Sequence, residues 1–535
     1  MTTSSHANGT LPSVDETLEH LRQVERRYPE GLRAAQTKRA IEANERFVTD
    51  RGVMDRYLGH LASKNMFLEM YGLGHCPNGL PVALPPYLMD ILDASSRVLC
   101  ALARRHLAER GPGYLVERMP AGWLTAEMAE RLHAYFLTHE PDMGFDVLVY
   151  GKHSHRGMTF DEFKRSGDVL HAKLLEAQSV DTYYGWVREY LAGARHAGLT
   201  SAQLTWSRDA AGHPLTDAAL DAEVKATLVY GHEAAPEQIL FLEVEPEKQA
   251  TYQNLCFMAD LAGGGDPRRR PVILDPRDLA IRDGRLYATK AGQEREITKV
   301  ISRIVDVDLM AYLKARAADG DTATVERFRQ LYTLPHLFPD LSKHLCGFYL
   351  IDKSSLTDMS LLGDVSIAPN TELLTAAHVE RYRQDPALLK SVAIKPLHGM
   401  SAKGVIVAPT LAQLEESVAR EQMLMQETIW ATPIQPNVNP EIADADVQAG
   451  ICSETRLVLQ AGSPAVPHNP YAARVIAGLS RSHFQSRDPD RKIKDDARGR
   501  GWYSNVGAIM AVRKELGIER KDDAGVGMGP IYCVE

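Results

Sequence analysis

The segment Ser391-Val-Ala-Ile-Lys-Pro-Leu-His-Gly-Met-Ser-Ala-Lys-Gly-Val-Ile-Val407 constrains the fold more than any other stretch of the chain. An apolar run delivers Lys395 into a loop of Gly, Ser and Lys, and a second apolar run follows, which predicts strand, flexible loop, strand. Such a unit folds backbone amides over an anion while a lysine offsets the charge. Gly399 and Gly404 permit close backbone approach, and Lys395 and Lys403 supply cationic donors. The same letters also describe an ordinary β-hairpin with a basic turn. Lys395 stands inside an apolar strand, however, where an unpaired charge is costly, so it is expected to have a partner or a ligand.

At 535 residues the chain is too long for one core, and roughly three or four domains or subdomains are expected. A formal net charge of −9 argues against a general nucleic-acid binder and leaves room for a local basic pocket. The expected partner is a small molecule. Six cysteines form no CxxC pair, so neither a zinc ribbon nor a disulfide framework is suggested. No apolar run approaches the ~20 residues of a membrane span. The stretch Met1 to Gly9 has no basic segment followed by a hydrophobic one. A cytoplasmic protein without membrane or nucleic-acid partners is the simplest expectation.

Helical spacing of apolar residues predicts two helices between Val14 and Ser63, another from Leu88 to His106 and another from Thr125 to Leu137. Phe145 to Tyr150 reads as a strand. It leads into Gly151-Lys-His-Ser-His-Arg-Gly157, where His153 and His155 share one side of an extended chain; two histidines without a third ligand more often serve as loop hydrogen-bonding groups. From Gln238 to Asp275 strand, helix and strand alternate, which predicts a parallel sheet. A turn at Asp283-Gly284 enters a strand, and Ile297 to Asp308 reads as a further extended segment. The predicted organisation is a helix-rich substrate-binding region over 1–235, a βαβ domain over 236–310, a linking subdomain over 311–385 and a nucleotide-binding part over 386–535.

Downstream of the lysine loop, Gln422 to Ile429 begins as a buried strand and ends in the polar pair Gln426-Glu427, suited to an adenine edge and to a hydroxyl. Glu454 and Arg456 share a strand face because side chains two residues apart point together. This order of features resembles the ATP-grasp superfamily: Lys395-Pro396, the loop His398 to Gly404, Gln426 to Ile429 and Glu454 to Leu459, with Ile351-Asp-Lys353 as an earlier lysine. Upstream, Glu243 to Pro246, Gln249 with Tyr252, Asp275 to Leu279, Asp283 to Tyr287 and Arg303 to Asp306 resemble the circularly permuted branch that includes glutathionylspermidine synthase-like ligases. The resemblance spans about residues 238 to 510.

It implies an α+β, multidomain ATP-grasp fold with a mainly helical N-terminal region. It further implies an ATP-dependent carboxylate–amine ligase that activates an acid as an acyl phosphate. ATP and Mg2+ are the implied cofactors, and a small-molecule carboxylate and amine the implied partners. Lys353, Lys395, His398, Gly399, Ser401, Lys403, Gly404, Gln426, Glu427 and Ile429 would hold the nucleotide. Arg456, Arg474 and Lys395 would serve the reaction. Glu454 with Asn505 is one partial magnesium set and Asp306 with Asp308 another, although neither reproduces the family's acidic-x-Asn spacing. Arg474 is equally a structural partner for a carboxylate, and Arg303 is equally a binder of the substrate's acid group. Tyr252 and Gln249 read as helix surface or packing. A phosphotransferase and a nonenzymatic ATP-binding protein are the competing readings, and a homodimer is a reasonable expectation.

Overall fold

The computed structural model describes residues 11–64, 66, 75–76, 80–118, 125–140, 142–178, 184–200, 204, 206–208, 213–249, 251–290, 292–304, 306–331, 333–334, 337, 355–360, 362, 365–397, 404–420, 422–438, 450–460, 473–483 and 526–534. Between Val14 and Ser63 there are three helices rather than two: α1 (Val14–Arg26), α2 (Glu30–Thr49) and α3 (Arg51–Ser63). α1 is opened by a reciprocal cap, in which the Glu16 carboxylate accepts from the Ser13 amide at 2.8 Å and the Ser13 hydroxyl from the Glu16 amide at 3.3 Å. The additional break falls at Asp50, whose carboxylate accepts from the Val53 amide at 3.1 Å and so starts α3. Two short strands follow, β1 (His75–Cys76) and β2 (Val82–Leu84), then the long α4 (Pro86–Arg110). Pro86 sits in its first turn, where a missing N–H disrupts nothing.

A hairpin of β3 (Met143–Gly151) and β4 (Leu170–Gln178) comes next. Beyond it lie β5 (Ile239–Leu242), β6 (Val272–Leu274), β7 (Leu279–Arg282), β8 (Arg285–Lys290), β9 (Gln293–Ile297) and β10 (Lys299–Ser302). β5, β6 and β10 form a parallel sheet in the order β10-β5-β6, as the strand–helix–strand alternation predicts. β7, β8 and β9 form an antiparallel one. Its first turn places Asp283 at φ 50° and Gly284 at φ 71°, the left-handed pair that a tight hairpin requires. The extended segment expected through Asp308 stops at Ser302, and Asp306–Ala318 is helical.

The strand–loop–strand unit takes shape in a small antiparallel sheet of β11 (Thr371–Leu373), β12 (Val392–Pro396), β13 (Ile406–Val407) and β14 (Met423–Glu427), ordered β11-β14-β12-β13. Helices Ala376–Gln384 and Leu411–Arg420 accompany it, and Tyr382, Ile394, Leu414 and Met425 share its core.

The largest sheet closes the chain with β15 (Pro433–Gln435), β16 (Ile451–Gln460), β17 (Arg474–His483) and β18 (Val526–Cys533). Its order is β1-β18-β17-β16-β3-β4, with β15 also paired to β16 and β2 to β18. Three strands from the C-terminal end therefore lie side by side between strands from the N-terminal region. One face carries Phe145, Val147, Leu457 and Leu459 into the core shared with α4. On the other face Val458, Ala477 and Leu479 meet the helix Tyr184–His196 through Val187 and its neighbours, and nearer β4 Leu148 packs with Ala431 and Cys452. The result is a mixed α+β fold of several sheets with more than one core. No described helix is long and apolar enough to cross a membrane.

Candidate functional site

Lys395 projects from β12 and is only 7% exposed. Its ammonium donates to Gln426 Oε1 at 3.0 Å, within its own sheet, and to the Leu175 carbonyl at 3.0 Å, in the large sheet. Gln426 is fixed in turn by donating to Thr371 Oγ1 at 2.9 Å. The carbonyl of Leu175 is available because β4 is bulged there: Asp146 faces Glu176 and Val147 faces Leu174, leaving Leu175 as the extra residue outside the regular ladder. One lysine thus bridges the two sheets.

Around it lie the other strand-end residues. The Glu427 amide donates to the Asn370 carbonyl at 2.8 Å, and its half-exposed carboxylate accepts from the Asn370 amide at 3.3 Å. Lys173 Nζ of β4 stands 3.9 Å from the same carboxylate. Ile429 is partly buried against an apolar floor of Leu148, Ala431 and Cys452. Burial, with the charge of Glu427 adding to it, pushes the Tyr150 hydroxyl up to about 12, so it stays protonated.

The charged cluster occupies the same face of the large sheet. Lys173 opposes Leu148, Leu148 opposes Glu454, and Glu454 opposes Arg481. Directly opposed residues share a face and neighbouring strands are ~4.8 Å apart, so Lys173 and Glu454 stand about 10 Å apart. One row along, Arg456 opposes Asp146. Its Nε and Nη2 reach the two Asp146 oxygens at 2.6 Å each, a bidentate pair, and Arg481 adds a third contact to Asp146 at 2.8 Å. Arg481 also pairs with Glu454. Burial pushes the Asp146 carboxyl up, but the two guanidiniums outweigh it and hold the group below the usual carboxylate range. The carboxylate thereby fixes two guanidiniums on neighbouring strands.

Arg474 is not part of this cluster. It opposes Gln460, four residues along β16 from Arg456 and so about 13 Å away, and it pairs with Glu223 of the helix Asp217–Val229. Its role is to tie that helix to the sheet. Gly404 closes the lysine loop with φ 77°, where an added Cβ would come 2.7 Å from Pro396 Cγ. Lys353, His398, Gly399, Ser401, Lys403 and Asn505 lie outside the described residues, as do the side chains of Asp306 and Asp308.

Of the residues expected to hold magnesium, Glu454 is described, and it is engaged by Arg481; no group of three or more ligating side chains occurs among the described residues. His153 is 74% exposed beside Asp168 at 3.4 Å, whereas His155 contacts the neighbouring Arg156 carbonyl. Arg303 lies 3.7 Å from Glu243 and donates to Thr251, inside the βαβ sheet. Gln249 donates to the Val244 carbonyl, and Tyr252 packs against the second core.

Asp146, Lys173 and Arg481 are the members of the cluster that sequence reasoning does not single out. The one available signal is Asp146 itself, a lone charge inside the apolar run Phe145 to Val149.

No family model matches the chain, and no curated protein matches it. Among solved structures it is similar to a glutathione synthetase-like effector (GSS30) from Globodera pallida in its apo form. That likeness has a TM-score of 0.43 at 12% identity, over 81% of this chain and 96% of the other.

Proposed function

We propose that this chain is an ATP-dependent ligase of the ATP-grasp type, joining a carboxylate to an amine, with the nucleotide held between the small and the large sheet. The observation that supports it most is the buried Lys395 ammonium, held between the two sheets by Leu175 and Gln426 immediately before a Gly/Ser/Lys loop. A cation fixed on a strand is preorganised for phosphate oxygens. In this reading Leu148 and Ile429 offer apolar surface to the base, and Glu427 accepts from ribose hydroxyls. Lys395 and Lys173 offset the phosphate charge. Arg456 and Arg481, oriented by Asp146, steady the negative charge that develops on the acid.

Incubation with ATP and panels of acids and amines, with product masses read, tests the proposal. Release of ADP and phosphate only when both acid and amine are present is expected; a phosphate retained on an isolated product would instead indicate a phosphotransferase. Lys395→Ala is expected to weaken ATP binding at least about tenfold. Intact ATP binding and turnover in that variant would sink the assignment.

A further inference from the structure

Beside the large sheet, a cavity of about 210 Å³ runs from the underside of α4 to the outer edge of β4, where the segment 365–367 also lines it. The register of β4 determines what the strand presents there. Leu170, Ala172 and Leu174 turn their side chains toward the core shared with α4, while His171 and Lys173 turn theirs to the opposite face, at Tyr150 and Glu427. All five residues nevertheless line the cavity. A space that touches five consecutive residues of a strand lies along its edge, where the main chain is presented.

In an antiparallel strand every second residue directs both its N–H and its C=O to the same side. Partners identify the outward residues of β4. The Leu170 amide donates to Thr37 Oγ1 at 3.3 Å, and its carbonyl accepts from the Tyr87 hydroxyl at 2.5 Å. The Leu174 amide donates to the Ile367 carbonyl at 2.8 Å. Ala172 falls midway between them, so its N–H and C=O also point away from β3, along the edge that the cavity follows. No described residue bonds to either group on that side. Main-chain polar groups withdrawn from bulk water are nearly always bonded, and one open rung between two occupied ones is a place for a guest.

The surroundings define that guest. Leu21, Leu88, Leu92 and Val147 supply an apolar wall, and Arg33 already donates to the Tyr28 carbonyl at 2.7 Å and the Glu25 carbonyl at 3.0 Å, so no charge on the guest is called for. A cavity of roughly 150 Å³ accepts benzene, so this one suits a molecule of about one capped residue and is too small for a nucleotide. We infer that the cavity binds a neutral, one-residue acyl amino-acid amide. Its N–H donates to the Ala172 carbonyl and its C=O accepts from the Ala172 amide, as an added strand would, with an aliphatic side chain under α4. This binding stands apart from the ligase reading.

Calorimetric titration of the full chain with N-acetyl-leucinamide, and with the ester analogue in which oxygen replaces the leucine N–H, tests the inference. The amide is expected to bind at millimolar concentration or below, and the ester at least about tenfold more weakly, because it leaves the Ala172 carbonyl without a donor. Ala172→Pro removes the strand's own donor at an edge position, where proline is tolerated, and is expected to weaken amide binding by a similar factor. Ala172→Phe fills the space from β4 and is expected to abolish binding. Should both variants fail to fold, the comparison of the two compounds on the wild type decides. Absence of amide binding at millimolar concentration, equal affinity for amide and ester, or unchanged affinity in either folded variant overturns the inference.

Discussion

Asp146 is 1% exposed and stays ionised only because Arg456 and Arg481 converge on it. Its carboxyl is held below its ordinary value, so the stabilisation it brings is complete above the unfolded carboxylate value of about 3.9 and disappears as pH falls through the lower folded value. Asp146→Asn leaves two guanidiniums facing a neutral amide in a buried site, and a loss of about 3–5 kcal/mol is expected at neutral pH. Scanning calorimetry between pH 3 and 8 should show the deficit shrinking as the wild type becomes protonated. An equal deficit at both ends of that range would mean that the pair does not control acid stability. Lys395 and Asp146 also differ in how openly the sequence displays them. Lys395 sits in a local pattern, an apolar run turning into a glycine loop, and that pattern suffices to predict its strand. The partner of Asp146 is 310 residues away, and no local pattern records a contact of that separation.

At the level of single strands, β17 carries two arginines with separate tasks. The register passes from Ala477 opposite Val458 to Val475 opposite Leu459, so Ile476 is an extra residue between the end that holds Arg474 and the end that holds Arg481. Arg474→Met is expected to lower the unfolding temperature by removing the tie to Glu223, while ATP affinity changes by less than about twofold. Arg481→Met is expected to reduce ligase turnover at least about tenfold with ATP affinity largely kept, because that guanidinium belongs to the substrate side. Thermal melts and nucleotide titrations of the two variants check both, and the opposite assignment of effects would exchange their roles. Strand β4 illustrates why part of the site escapes a sequence reading. Its letters, Leu170-His-Ala-Lys-Leu-Leu-Glu-Ala-Gln178, do alternate at first, with His171 and Lys173 on the polar face. The bulge at Leu175 then shifts the alternation by one residue, and the period that would betray a strand is lost.

At the scale of the whole molecule, the large sheet joins residues 143–178 to residues 451–483 through the pairing of β3 with β16, which makes these distant parts of the chain one structural unit. Residues 236–535 expressed alone are therefore expected to lack a cooperative melt, because β16 would lose β3 as a neighbour, and co-expression with residues 1–235 is expected to restore it. A cooperative melt of the isolated C-terminal fragment would contradict this reading. Contacts so distant in sequence also predict slow folding, with β3 and β4 waiting for partners made much later. The sheet must then guard its outer strand during and after assembly. Among the described residues β4 has no neighbour strand on its far side, yet its Leu174 amide is taken by Ile367 and its Leu175 carbonyl by Lys395. Two consecutive residues that would otherwise template another chain are occupied, so the lysine proposed to meet phosphate also serves as a guard against edge-to-edge aggregation.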